Sequence, residues 1–279
     1  MKHIRTWLTV AVISVVFAAP VLAGSPLKKL TLVDPAGDDN GPGKYVYPTD
    51  PVYTAKSFDL RKVEVIDKGA TVEFRVTVGA RIKDPWNSKD WDGNGCSLQF
   101  AQIYIDTDHK AGSGHTKALP GLNVSFDKAS AWDKALIISP QGTKRLNTEI
   151  KAKARKFKKD IVLPVSVRVR GRSIVALFPK AKVGTPAKGW GYQALVQSNE
   201  GYPSRKDLLT RKVNEYKGKH KFGGGHDFEC DPHVIDMLAG SGKGGGDEKA
   251  AQHKALKGFK CDDEDPEGGT WATIPMIYP

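Results

Sequence analysis

The chain has 279 residues, and its 43 lysine and arginine residues against 31 aspartate and glutamate residues give a formal net charge of +12. No segment after residue 23 approaches the length needed to cross a bilayer, so we do not expect a membrane-spanning protein. The basic charge favours anionic polymers or cell-envelope surfaces as partners. A mature chain of roughly 255 residues is long enough for one large core or two small ones.

Residues 1–23 have the pattern of a secretory signal. A basic start is followed by an apolar run from Trp7 to Val16, and small or apolar residues precede a cleavage site at Gly24. We therefore expect residues 24–279 to form a single mature domain that is secreted, periplasmic or extracellular. Nucleic acid is not an expected partner of an exported chain.

The first loop of the mature chain, residues 34–50, holds four carboxylates, three glycines and three prolines. Neither a helix nor a half-buried strand tolerates this composition. Calcium is bound by six to eight oxygen atoms, and a glycine-rich turn can wrap carboxylates and carbonyls around it. We predict a calcium site formed by Asp34, Asp38, Asp39 and Asp59. The alternative is that these aspartates only close Asx-turns.

The body of the chain is typical of β-strands separated by glycine, proline and asparagine. In residues 71–79, Val72, Phe74 and Val76 alternate with polar residues. Further strands are predicted at 97–106, 135–139, 164–171 and 173–178. The pattern indicates an all-β fold, an antiparallel two-sheet β-sandwich with a short helical and loop-rich C-terminal extension.

Helical periodicity is confined to residues 247–257 and, more weakly, to 204–213. Residues 239–270 are rich in glycine, lysine and aspartate, and we predict a flexible insertion there. The basic run at 151–159 is interpreted as a strand with its lysines on a solvated face. The alternative for this run is a contact with an anionic polymer.

Three cysteines remain in the mature chain, and an oxidising compartment favours pairing of two of them. Cys230 and Cys261 flank a glycine-rich stretch, and closing that loop is worth about 3–4 kcal/mol in the chain-entropy model. Cys96 begins an apolar run and is expected to be buried and free. We predict the Cys230–Cys261 disulfide. Zinc binding by His226, Cys230 and His233 is not favoured, because no fourth ligand is evident.

The spaced motifs of the chain resemble the C-terminal domain of glucodextranase. Related domains are attached to some pullulanase-type enzymes and belong to the DOMON-like, jelly-roll-like β-sandwich group. The resemblance covers almost the whole mature chain and is carried by DPAGDDNGPGKYVYPTD (34–50), SFDLRKVEV (57–65), DPWN (84–87), NGCSLQFAQIYIDTD (94–108), GLNVSFDKASAWDKALIIS (121–139), WGYQALVQSNEGY (190–202), FGGGHDFECDPHVIDML (222–238) and ATIPMIY (272–278).

This resemblance implies a non-catalytic accessory domain that binds a polysaccharide or an anionic cell-envelope polymer. The alternative is a structural protein that docks an envelope or extracellular protein partner. Two departures leave the specificity open, since Cys96 replaces an expected aromatic residue and residues 89–92 look like an insertion. The motifs G-x-S-x-G and H-E-x-x-H are missing, so we do not predict an enzyme.

Sugar binding uses flat aromatic side chains that contact the C–H face of a pyranose. Trp91, in a polar segment, is the first candidate for such a platform, followed by Trp86 and Tyr47. The alternative for each is packing in the core, because tryptophan is highly buried on average.

Overall fold

The computed structural model describes residues 24–228, 230–265 and 268–279. The predicted secretory signal at 1–23 lies outside the described residues. Within the described part of the chain, no helix is long and apolar enough to cross a membrane.

Twelve short strands and three helices make up the regular structure of the described residues. The strands are β1 (Lys29–Val33), β2 (Leu60–Asp67), β3 (Thr71–Val78), β4 (Gln99–Asp106), β5 (Val124–Phe126), β6 (Lys134–Ile138), β7 (Ile161–Val162), β8 (Ser166–Arg170), β9 (Ser173–Pro179), β10 (Gly191–Ser198), β11 (Asp236–Met237) and β12 (Ala272–Ile274). The helices are α1 (Thr143–Lys153), α2 (Lys180–Val183) and α3 (Glu248–Leu256).

The strands form two five-stranded sheets and one small pair, which confirms the predicted all-β sandwich. The first sheet has the order β1-β2-β3-β9-β8, and the second has the order β11-β10-β4-β6-β7. Most pairs are antiparallel, as predicted, but β6 pairs with β7 and β5 with β12 in parallel. Both parallel pairings are short. Helix α1 lies between β6 and β7 in the sequence, and β5 and β12 are far apart in it.

Two apolar cores lie on opposite faces of the second sheet. The first core fills the space between the sheets, where Phe74 and Val76 of β3 face Ile103 of β4. The second core covers the outer face of the second sheet and includes Phe100 and Leu195. Because successive side chains of a strand point to opposite faces, β4 and β10 contribute to both cores and are buried along their whole length.

Helix α1 corrects the prediction of a strand at 151–159. Leu146 and Ile150, four residues apart, are buried in the second core, so this segment has a helical apolar face. The carboxylate of Glu149 accepts from Arg145 and Lys153, each four residues away, at 2.7 and 2.8 Å. The lysines of the run therefore lie at the end of a helix and in the turn after it.

The segment 239–270 contains more structure than the predicted flexible insertion. Helix α3 occupies the predicted helical stretch, and Glu248, Gln252 and Leu256 form its buried face. The weaker helical prediction at 204–213 is wrong, since these residues form turns and an isolated bridge. Leu208 and Leu209 are instead buried in the second core as parts of a loop.

A disulfide joins Cys230 to Cys261, with a Cα–Cα distance of 5.2 Å, and Cys96 is free and buried. Burial raises the pKa of the Cys96 thiol to about 12, so this sulfur is protonated and unreactive in the folded protein. The disulfide fixes the loop before β11 to the segment after α3.

Removing the disulfide with the double substitution Cys230→Ser and Cys261→Ser should lower the free energy of unfolding by about 3–4 kcal/mol, because the unfolded chain regains loop entropy. Chemical denaturation measures this loss, and reduced wild-type protein should show a similar one. Equal denaturation midpoints for the oxidised wild type and the double variant would contradict the prediction.

Candidate functional site

An open pocket of about 440 Å³ brings together the two tryptophans predicted to bind sugar. Trp86 and Trp91 line it with Tyr202, and we call this site the aromatic pocket. Its polar lining consists of Gln141, Arg145, Asn199, Glu200, Arg211 and His220. Trp86 is 36% exposed and Tyr202 is 93% exposed, so flat aromatic faces are available to a ligand.

Residues 84–97 carry Trp86 and Trp91, and we call this segment the tryptophan loop. The carboxylate of Asp84 accepts several hydrogen bonds from it. The backbone N–H of Ser88 donates to it at 2.9 Å, and the Ser88 hydroxyl donates at 2.7 Å. The Ser97 hydroxyl also donates to Asp84. The Ser88 hydroxyl in turn accepts from the backbone N–H of Gly95 at 2.8 Å. These bonds tie both ends of the loop to one side chain.

The same loop is fastened to the turn at 139–142. The side-chain amide of Asn94 donates to the carbonyls of Ser139 and Gln141 at 2.9 and 3.0 Å. Gly142 lies so close to the carbonyl of Asp92 that a Cβ would not fit. The 3-10 helix Ser88–Trp91 therefore presents its tryptophan from a constrained backbone.

Tyr202 reaches the pocket from the loop that follows β10. The Glu200 carboxylate accepts from the backbone N–H of Tyr202 at 3.0 Å and from Nε of Arg211 at 3.1 Å. Arg211 also donates to the Tyr53 hydroxyl at 2.7 Å, and its guanidinium carbon lies 5.7 Å from the centre of the Trp86 ring. One arginine thus connects the Tyr202 loop with Trp86.

Tyr202 was not among the residues predicted from the sequence. The available signal was its position in an Asn-Glu-Gly-Tyr-Pro loop directly after a long apolar strand, where an aromatic side chain has little to pack against. Tyr47, which was predicted, lies outside the pocket. Its ring packs against Phe222 at 4.8 Å, and its hydroxyl accepts from the backbone N–H of Phe58 at 3.0 Å.

The first loop of the chain contributes to a second, separate group of side chains. Asp34 and Asp38 come together with Asp236, with one carboxylate oxygen of each within 4.8 Å of the others. We call these three residues the acidic cluster. All three side chains are buried. Asp236 was missed because it lies about two hundred residues away in the sequence, at the start of β11.

Asp39 and Asp59, the other two predicted calcium ligands, are placed differently. The Asp39 carboxylate accepts from the Tyr47 hydroxyl at 2.5 Å. One oxygen of Asp59 accepts from the backbone N–H of Gly37 at 2.9 Å, and the other is buried without a hydrogen-bond partner. Neither Asp39 nor Asp59 is among the three carboxylates that come together.

Burial gives the acidic cluster an unusual electrostatic state. Burial raises the pKa of Asp34 to about 10, with a further contribution from the carboxylates of Asp38, Glu248 and Asp59. Burial also raises the pKa of Asp38, to about 6, and that of Asp236. Without a positive charge among them, each of these carboxyl groups holds its proton more strongly than it would in water.

A basic pocket of about 330 Å³ lies elsewhere on the surface and includes part of the basic run at 151–159. Its lining includes Lys117, Lys153, Lys156, Lys206 and Trp271. The Lys117 ammonium lies 5.0 Å from the centre of the Trp271 ring. Lys153 donates to the carbonyls of Ser204 and Asp207 at 2.7 and 2.9 Å, so part of this charge is used within the fold.

The fold and the open aromatic pocket have the character of a binding module. The family model that matches the chain describes the C-terminal binding-module, SLH-like, of glucodextranase, and it spans residues 30–276. The chain therefore belongs to this family, as its motifs predicted. No curated protein matches the chain.

Replacing Asp84 by alanine should loosen the tryptophan loop, because Ser88 and Ser97 lose their common acceptor. We expect the free energy of unfolding to fall by about 1–3 kcal/mol and amide exchange to accelerate across residues 84–97. Hydrogen–deuterium exchange and thermal melting measure the two effects. Asp90→Ala is the matched control, since Asp90 is exposed and accepts from Asn87 within the same loop. Equal exchange in both variants would contradict the role of Asp84.

Proposed function

We propose that this chain is a non-catalytic glycan-binding module and that the aromatic pocket is its binding surface. The observation that carries the proposal is the convergence of Trp86, Trp91 and Tyr202 around one open pocket. These side chains come from two loops that are distant in the sequence. The family to which the chain belongs supports a binding role.

The chemistry of the pocket suits a neutral sugar. An aromatic face contacts the apolar C–H face of a pyranose, and it does so without losing conformational freedom when its loop is already ordered. Glu200 and Arg211 line the same pocket and offer acceptors and donors for hydroxyl groups. Pockets of about 300–1,000 Å³ are typical for small ligands, so about 440 Å³ suits one or two sugar rings of a longer chain.

The description of the family as a binding module of glucodextranase supports a glucan such as dextran as the polysaccharide. We infer that this chain acts as an accessory to polysaccharide processing outside the cytoplasm. The signal pattern at 1–23 supports export, and the Cys230–Cys261 disulfide is typical of an oxidising compartment.

The alternative ligand is an anionic cell-envelope polymer bound at the basic pocket. Its four lysines around Trp271 favour a negatively charged chain, and such binding would weaken steeply with salt. A protein partner docked on the sandwich is the remaining alternative. Binding assays in which the salt concentration and the pocket are varied separately distinguish these ligands.

Trp91→Ala and Tyr202→Ala should each weaken retention on dextran by roughly tenfold or more, equivalent to about 1.4 kcal/mol. Each substitution removes a flat contact surface at the rim and leaves both cores intact. Affinity electrophoresis in dextran gels, or calorimetry with dextran oligosaccharides, measures the change. Tyr216→Ala is the matched control, since Tyr216 is also an exposed tyrosine, at 76%, and lies outside the pocket.

Neutral glycan binding should change little between low and high salt. Lys117→Ala, in the basic pocket, should leave dextran retention unchanged. Retention on an acidic polymer that disappears with salt and with Lys117→Ala, together with no retention on neutral glycans, would favour the alternative and reject the aromatic pocket. Capture of one protein with no glycan retained would reject both polymer hypotheses.

A further inference from the structure

The acidic cluster contains carboxylate oxygens that no protein group satisfies. Both oxygens of Asp34 are buried without a hydrogen-bond partner, and so is Oδ1 of Asp38. Asp34 and Asp38 are each 1% exposed. Buried polar atoms in folded proteins are almost always paired, so three unpaired oxygens on two neighbouring side chains need an explanation.

Neighbouring cations do not supply the missing partners. The Arg61 guanidinium is directed to Asp59, at 3.9 Å, and the Lys249 ammonium donates to the carbonyl of Gly37. The remaining neighbour, Glu248, carries negative charge. Its carboxylate already accepts hydrogen bonds from the loop before α3, from the Ser241 hydroxyl and from backbone N–H groups. The charge of the acidic cluster therefore stays uncompensated.

Protons alone are a poor solution for this site. Protonation of Asp34 would remove its charge and let its hydroxyl donate to a neighbouring carboxylate, but the carbonyl oxygen of Asp34 would stay buried without a donor. Leaving a buried polar group unsatisfied is destabilising by about 1–3 kcal/mol. A cation removes the charge repulsion and satisfies the oxygens at the same time.

We propose that Asp34, Asp38 and Asp236 bind one divalent cation, for which calcium is the ion that the site chemistry favours. All the contributed atoms are oxygens, which suit a hard cation. Two oxygens on opposite sides of a calcium ion are about 5 Å apart, and the three carboxylate oxygens lie within 4.8 Å of one another. This ligand set keeps two of the residues predicted from the first loop and replaces Asp39 and Asp59 with Asp236.

Such an ion would fasten together three segments that are distant in the sequence. Asp34 and Asp38 belong to the first loop, and Asp236 begins β11 and accepts from the backbone N–H of Leu60 at 2.7 Å. Gln252 of α3 donates to the carbonyl of Asp38 at 2.6 Å and accepts from the backbone N–H of Met237 at 2.9 Å. The cation site is thus structural and is separate from the aromatic pocket, so it goes beyond the glycan-binding function.

The test compares calcium binding and melting of the full mature chain after chelation. Calcium added to a hundred times its dissociation constant should raise the melting temperature of the wild type by ~5–10 °C, and magnesium at the same concentration should raise it less. Asp34→Asn should lose this response. In chelator it should melt no lower than the wild type, because an uncharged amide of nearly the same shape replaces a carboxyl group that lacks its cation. This second expectation keeps the test valid, since a general failure to fold would lower melting under both conditions.

Two control variants test whether the calcium response depends on the three proposed ligands and not on other aspartates. Asp108→Asn, in an exposed position of another group of aspartates, should keep the full calcium response. Asp39→Asn should also keep it, since Asp39 bonds to Tyr47. Elemental analysis of protein purified without chelator should find about one calcium per wild-type chain and little in Asp34→Asn. A wild type that neither contains nor responds to calcium would overturn the proposal, as would an equal response from Asp34→Asn.

Discussion

The pairing of β4 with β10 is the constraint on which the rest of the structure depends. Eight residue pairs connect the two strands, from Gly191 opposite Asp106 to Ser198 opposite Gln99. Both strands are buried on both faces, so neither can shift without exposing one of the two cores. Strand β10 also positions one residue of the acidic cluster and one residue of the aromatic pocket. Val196 pairs with Asp236, and the loop that follows Ser198 carries Tyr202 to the aromatic pocket.

The carboxylates around this scaffold differ in whether their oxygens are hydrogen-bonded within the protein. Asp84 and Glu248 each accept several bonds from their own loops, and their oxygens are thereby satisfied within the protein. Asp34 is as deeply buried as Glu248, but it accepts no hydrogen bond from any group of the described residues. This contrast separates a carboxylate that closes a turn from one that has no partner within the protein.

Much of the sandwich could be predicted from local pattern, because period-two alternation reports directly on which face of a strand is buried. Residues 71–79 became β3 with Val72, Phe74 and Val76 buried, and the family motifs led to the correct class of module. The basic run at 151–159 was assigned wrongly, because its lysines alternate with alanines while the apolar spacing that makes the segment a helix lies upstream, at Leu146 and Ile150. A period-two pattern of charges says little about burial.

The composition of the sites was less predictable than the fold. Trp86 and Trp91 could be identified because both lie in one short polar segment. The loop around Tyr202 marks it as an exposed aromatic residue, but neither Tyr202 nor Asp236 could be assigned to its site, since each joins that site through the strand pairings of β10. A contact made by tertiary register leaves no local pattern in a single sequence.

The most direct measurement of the central claim is a titration of ¹⁵N-labelled mature protein with dextran oligosaccharides, followed through the tryptophan indole N–H signals. The account predicts that the signals of Trp86 and Trp91 shift together with the backbone amides of residues 199–202. The signals of buried Trp132 and of Trp271 in the basic pocket should stay in place. Shifts confined to Trp271, or no shift at any indole at saturating oligosaccharide, would contradict it.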